Sequence, residues 1–137
     1  MDKGGFRMLI RLDFKSEVPI YLQLRNQIVL GIARGDLRAG ESLPTVRQMA
    51  QDSGVNAMTV SKAYAMLKTE GFLSVDRRHG ATVNPPRNKS GAAESLVLER
   101  NLELTVSEAG LRGVSESEFL TVCKRIYRKM DGLKSRA

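Results

Sequence analysis

Two short capped stretches separated by a single glycine constrain this chain more than any other feature. Leu43-Pro44 precedes Thr45-Val46-Arg47-Gln48, in which Thr45 reads as a helix N-cap and Gln48 as its capping-box partner. The run ends at Asp52-Ser53-Gly54, where glycine permits the left-handed turn conformation. Asn56 then caps a second helix, which runs through Val60, Ala63, Tyr64 and Leu67 to Gly71. A helix-turn-helix needs a small residue where the helices cross, a glycine in the turn, and a branched apolar residue beneath the second helix. Ala50, Gly54 and Val60 stand at those places, and Met49, Val55 and Ala63 supply further inward positions. An ordinary helical hairpin with a solvated outer face satisfies the same spacing, so the spacing alone leaves two readings.

The next segment favours the first reading. Two β-like pieces, Phe72-Leu73-Ser74-Val75 and Ala81-Thr82-Val83, flank the basic turn Asp76-Arg77-Arg78-His79-Gly80. A wing with Arg77, Arg78 and His79 at its tip is placed to meet phosphates or the minor groove. Burying Val60, Ala63 and Leu67 turns Met58, Ser61, Lys62 and Ala65 outward, with Asn56 and Ala57 at the tip. A recognition helix presents those N-terminal residues to base edges in the major groove. Upstream, residues 8–14 alternate as a short strand does, and Pro19 opens a helix over Ile20–Ala33 whose apolar residues recur every four, ended by Gly35.

Composition narrows the function classes. The chain has 137 residues, with 22 Lys+Arg against 15 Asp+Glu, a formal charge of +7. That length suits one domain of roughly 100–150 residues, or a small domain with an appendage. No apolar stretch approaches the ~20 residues of a membrane span, and the N-terminus shows no apolar signal-peptide region. A cytoplasmic protein without a membrane partner is expected. One cysteine and one histidine cannot build a conventional structural zinc site, and neither a metal nor a cofactor is expected. No nucleophile–base set or P-loop can be assembled, so an enzyme is not expected. The basic balance favours a polyanion partner. It does not locate the site, because the excess is spread evenly: 12 basic against 8 acidic residues up to Pro86, then 10 against 7.

Pro85-Pro86-Arg87-Asn88-Lys89-Ser90-Gly91 reads as a linker. Beyond it Ala92–Ala109 looks helical, Gly110–Gly113 forms a break, and Ser115-Glu116-Ser117-Glu118 is a second capping box. That box opens a helix with Phe119, Val122, Cys123, Ile126 and Met130 on one stripe, which in water would mark an interface. Cys123 on this stripe reads as a buried, inert cysteine. The run Lys124-Arg125-Ile126-Tyr127-Arg128-Lys129 reads as a solvated face rather than a DNA or membrane patch.

Residues 8–84 resemble the winged-helix domain of GntR-family bacterial transcription regulators. The matching stretches are Pro19-Ile20-Tyr21-x-Gln23, then Gly35-x-Leu37-x-x-Gly40-x-x-Leu43-Pro44-x-x-Arg47-x-x-Ala50. They continue with Gly54-Val55-Asn56-x-x-Thr59-Val60-x-Lys62-Ala63-Tyr64-x-x-Leu67, and Glu70-Gly71-Phe72-Leu73 ahead of His79-Gly80. The short tail is similar to that of the YtrA-type subfamily, whose two C-terminal helices serve dimerisation. The resemblance implies a mainly α fold with a small β-hairpin. A winged helix-turn-helix over 1–86 would be followed by a linker and helical dimerisation domain over 87–137. It implies that Arg47 contacts DNA, that Thr45 sits where a hydroxyl and a helix N-terminus hold a phosphate, and that Asn56, Thr59, Ser61, His79 and Gly80 match contact positions. Lys62 and Tyr64 are frequent in that subfamily, Tyr64 as core or as phosphate contact. Ala57 departs from relatives with arginine there, so their guanine contact does not transfer; Ala57 and Met58 can instead touch thymine methyl groups. The function implied is a homodimeric, sequence-specific DNA-binding regulator, a repressor on an inverted-repeat operator, with a small-molecule effector left open. The alternative is a winged-helix protein–protein interaction module.

Overall fold

The structure is a computed structural model that describes residues 10–78 and 80–134. It is mainly helical: α1 (Ile20–Arg34), α2 (Val46–Ser53), α3 (Ala57–Thr69), a hairpin of β1 (Leu73–Asp76) and β2 (Gly80–Val83), then α4 (Ala92–Leu111), α5 (Glu116–Arg128) and a 3₁₀ turn, Asp131–Leu133. Two compact units form, one of residues up to 86 together with 131–134, the other Arg87–Met130. Residues 131–134, placed with the tail on sequence grounds, thus pack in the first unit.

The core of the first unit is one apolar cluster. Leu24 and Ile28 of α1, Met49 of α2, Val60, Ala63 and Leu67 of α3, and Leu73 and Val83 of the hairpin are all buried, with Leu37 and Leu43 closing it from the loop. The buried residues named on α1 and α3 recur at spacings of three and four, which put them on one face, while α2 contributes Met49 alone. Fully burying one such side chain contributes about 1.5–3 kcal/mol. The hairpin is antiparallel, with Leu73 opposite Val83 and Val75 opposite Ala81. Segment 40–43 lies along the outer side of β2, where Gly40 N–H donates to Val83 O at 2.7 Å and Leu43 N–H to Ala81 O at 2.8 Å. The wing is thereby stitched to the loop that leads into α2.

The expected strand over residues 8–14 is corrected. Residues 8 and 9 lie outside the described residues, and 10–14 form no strand. Their backbone pairs with glutamine side chains of α1 instead. Arg11 N–H donates to Gln27 Oε1 at 2.8 Å, and Gln27 Nε2 donates to Arg11 O. Asp13 N–H donates to Gln23 Oε1 at 2.8 Å, and Gln23 Nε2 donates to Asp13 O at 2.9 Å. Two primary amides four residues apart on a helix present the donor and acceptor that a neighbouring strand would. Ile10 and Leu12 still alternate inward against the core, which is why the pattern looks strand-like.

In the second unit α4 runs two residues beyond Ala109, through Gly110, and the break falls at Arg112-Gly113. Its start is held by Glu94, whose carboxylate accepts from Gly91 N–H at 3.0 Å and from Arg87 Nη1 at 2.6 Å. The Arg87 hydrogen bond, then the backbone donors, hold the Glu94 carboxyl below its ordinary pKa. Ser115 Oγ accepts from Glu118 N–H at 3.1 Å and caps α5, while the return bond of the expected capping box, from Ser115 N–H to the Glu118 carboxylate, is absent. Among the described residues no helix is long and apolar enough to cross a membrane.

Candidate nucleic-acid interface

The interface is assembled on α2, α3 and the hairpin turn. Thr45 Oγ1 accepts from Gln48 N–H at 3.1 Å and sets the start of α2. The other half of the expected capping box is absent. Gln48 Nε2 instead donates to Asp52 Oδ1 at 2.9 Å, one helical turn on, a charge-assisted bond that turns its amide along the helix and away from Thr45 N–H. Because Thr45 uses only an acceptor lone pair in the cap, its hydroxyl hydrogen remains a donor for a phosphate. Arg47 follows in the first turn of α2, exposed and, among the described residues, without an ion-pair partner.

Gly54, at φ 73°, closes α2, and its N–H together with that of Val55 donates to Ala50 O at 3.0 and 3.2 Å. A side chain at that left-handed φ would be strained, so the tight turn into α3 requires glycine. Asn56 Oδ1 accepts from Thr59 N–H at 2.9 Å and caps α3, which leaves its Nδ2 hydrogens facing outward as donors. Ala57, Met58, Ser61 and Lys62 are exposed, Met58 to 82%, and Thr59 is half-buried. A thioether so exposed contributes nothing to the core, so its position is open to contact with a partner.

Tyr64 resolves the two roles open to it. It is 6% exposed, and its hydroxyl donates to Pro44 O at 2.8 Å. Burial pushes its ionisation far above the usual phenol range. Tyr64 is therefore a core residue that ties α3 to the start of α2, and it holds Thr45 and Arg47 beside the recognition helix. On the wing, Arg77 and Arg78 occupy the exposed turn between β1 and β2, and neither has an ion-pair partner among the described residues. Gly80 opens β2 at φ 69°. His79 lies outside the described residues. The root of the wing is fixed by a bidentate pair, Arg25 Nε and Nη2 to the Glu70 carboxylate, both at 3.0 Å, with the guanidinium 5.7 Å over the Phe72 ring.

Two features escape sequence reasoning. Lys62 is not simply outward, since its Nζ sits 4.0 Å over the ring of Tyr21 on α1. Only the adjacency of Pro19-Ile20-Tyr21 to the helix start hints at a role for that ring. In the second unit, Phe119, Val122, Cys123 and Met130 are half-buried and Ile126 is 49% exposed. The wider exposed apolar surface lies on α4, at Leu96, Val97, Leu98, Leu102, Leu104 and Val106. Those residues occupy several faces of the helix, so periodicity does not single out a stripe there.

Residues 19–83 match the family of bacterial regulatory proteins of the gntR type. The chain is 36% identical over 105 residues to the HTH-type transcriptional regulator Rv1152 of Mycobacterium tuberculosis, covering 73% of this chain and 87% of that protein. It is 28% identical over 127 residues to the HTH-type transcriptional repressor YtrA of Bacillus subtilis, covering 92% and 98%. A solved structure of YtrA from Sulfolobus acidocaldarius, described as a GntR-family transcription factor, superposes with a TM-score of 0.57 at 35% identity. That match covers 70% of this chain and 97% of the other. With a capped recognition helix, a hairpin wing and these likenesses together, the chain belongs to the GntR family of transcriptional regulators and carries that family's DNA-binding domain.

Proposed function

We propose that this chain is a cytoplasmic transcriptional repressor that occupies an inverted-repeat operator as a two-fold homodimer. Residues up to 86, together with 131–134, form the reading head, and 87–130 the pairing segment. The observation that carries the reading is the tip of α3, where Asn56, Ala57, Met58 and Ser61 are all exposed beside Arg47 of α2. In this assignment Asn56, Ser61 and Thr59 offer hydrogen bonds to base edges and phosphates, Ala57 and Met58 meet thymine methyls, and Arg47 reaches a base or a phosphate. Thr45, Lys62, Arg77, Arg78, His79 and Gly80 engage the backbone. The repressor named among its relatives supports the direction of regulation.

Pairing follows from reach. One winged helix reads only a few base pairs, and specificity within a genome calls for a second half-site. The exposed apolar residues of α4, with Phe119, Val122, Cys123, Ile126 and Met130 of α5, supply the surface such a dimer would bury. The test is selection of duplexes from a random library by the purified chain, followed by footprinting and analytical ultracentrifugation. Recovery of a two-fold symmetric sequence, bound by a dimer with steeply salt-dependent affinity, is expected. No enrichment, together with salt-insensitive association with another protein, would instead assign an interaction module. Leu102→Glu on α4 should yield monomers that keep weak non-specific DNA binding.

A further inference from the structure

Lys62 lies in the second turn of the recognition helix, the sixth residue from its start at Ala57. A recognition helix contacts base edges mainly through the residues of its N-terminal end. The Lys62 side chain leans back to α1, where its ammonium sits 4.0 Å over the Tyr21 ring. The surrounding face of α3 carries Ala65, Met66, Thr69 and Glu70. Glu70 is the carboxylate on that face, and both its oxygens are taken by Arg25. Among the described residues Lys62 forms no ion pair.

These facts fit together in one way. A carboxylate partner would neutralise a lysine and compete with DNA for it. An aromatic face attracts the ammonium through its quadrupole, yet leaves the net charge and N–H donors available to a further anion. The ring also restricts a flexible side chain before binding, which lessens the ordering cost that DNA would otherwise have to offset. We propose that Tyr21 is a positioning residue for DNA binding: its ring holds Lys62 as a phosphate contact at the flank of the recognition helix, away from the bases. The inference rests on the reading of α3 as the DNA-facing helix. It adds α1 to the elements that determine affinity and removes Lys62 from those that determine sequence.

The test is a double-mutant cycle on the full chain, with two probes: a duplex enriched by the protein from a random library, and poly(dI-dC). Lys62→Ala should weaken binding to both probes by a similar factor and lower the salt slope by about 1. Tyr21→Leu should weaken both about two- to five-fold when Lys62 is present. It should have no further effect in the Lys62→Ala background, whereas a general loss of fold would act in both. Tyr21→Phe keeps the ring and should restore wild-type affinity. Equal effects of Tyr21→Leu in the two backgrounds, or a Lys62→Ala loss confined to the enriched duplex, would overturn the assignment. If the wild-type chain binds neither probe, the DNA-facing reading fails instead, before the cycle is reached.

Discussion

Asn56 carries two tasks on one side chain. Its Oδ1 satisfies Thr59 N–H at the start of α3, while in the proposed reading its amide hydrogens meet DNA. Removing the cap with Asn56→Ala should cost about 1 kcal/mol of stability, read from chemical denaturation. Asn56→Asp separates the tasks, because a carboxylate caps equally well and also suits the positive end of the helix dipole. The aspartate variant should keep wild-type stability yet lose DNA affinity on every sequence, since it presents an anion to phosphates. If it binds DNA as tightly as the wild type, Asn56 is a cap alone. Gly54 and Asn56 were readable from sequence because caps and left-handed turns depend on local chemistry. The Gln48 side chain was less so: its amide can accept from Thr45 N–H or donate to the Asp52 carboxylate, and both partners lie within the same eight residues.

At the scale of elements, the wing and the first motif helix, α2, depend on different physics. Arg77 and Arg78 sit on an exposed turn, so in the proposed reading their contribution is charge that displaces counterions from DNA. Arg77→Ala with Arg78→Ala should therefore weaken binding to all sequences and flatten the dependence of affinity on salt. Unchanged affinity and slope would remove the wing from the interface. Arg47→Ala should by contrast cost about 1–3 kcal/mol on the enriched duplex and little on random DNA if the guanidinium pairs a base edge; an equal loss on both would make Arg47 a phosphate contact. The first turn of α4 offers a pH test. Glu94 is held below its ordinary pKa chiefly by Arg87, so its help to that turn is complete above the ordinary carboxylate range. That help is lost as pH falls through the lowered value. Carboxyl titration by NMR should show Glu94 returning toward its ordinary value in Arg87→Ala. No change would mean the backbone donors alone hold it. The helices and hairpin were legible because their buried residues repeat with the period of the element. The arm over 10–14 was misread as a strand because alternation records inward and outward facing, and says nothing about whether the backbone partner is a strand or two glutamine side chains.

The molecule as a whole separates where it is buried from where it is sticky. Every residue of the core cluster lies between Leu24 and Val83, whereas no residue of α4 or α5 is buried. The reading head therefore holds its own core, and the second unit leaves apolar surface in water as a single chain. One crossing blurs that division. The 3₁₀ turn after α5 packs against the end of α1, where Gly132 approaches so closely that a side chain would overlap the carbonyl oxygens of Ile32 and Ala33, the latter at 2.8 Å. Nothing in the sequence announced this contact, since a glycine among polar terminal residues reads as a simple turn. Truncation after Pro86 tests the division. The fragment keeps the whole core cluster and loses the contacts of the 131–134 segment with α1, so it should unfold cooperatively, with Tm lowered by about 4–8 °C for each kcal/mol those contacts contribute. It should sediment as a monomer and lose most of its affinity for a two-fold symmetric duplex, while its affinity for a single half-site stays near that of one head in the full chain. Gly132→Ala in the full chain reproduces the loss of the α1 contact without removing the helices, and should lower Tm but leave the dimer and the operator affinity in place. A fragment that still dimerises and binds the symmetric duplex as tightly would place both pairing and reading in the first unit, and α4 would need a different partner.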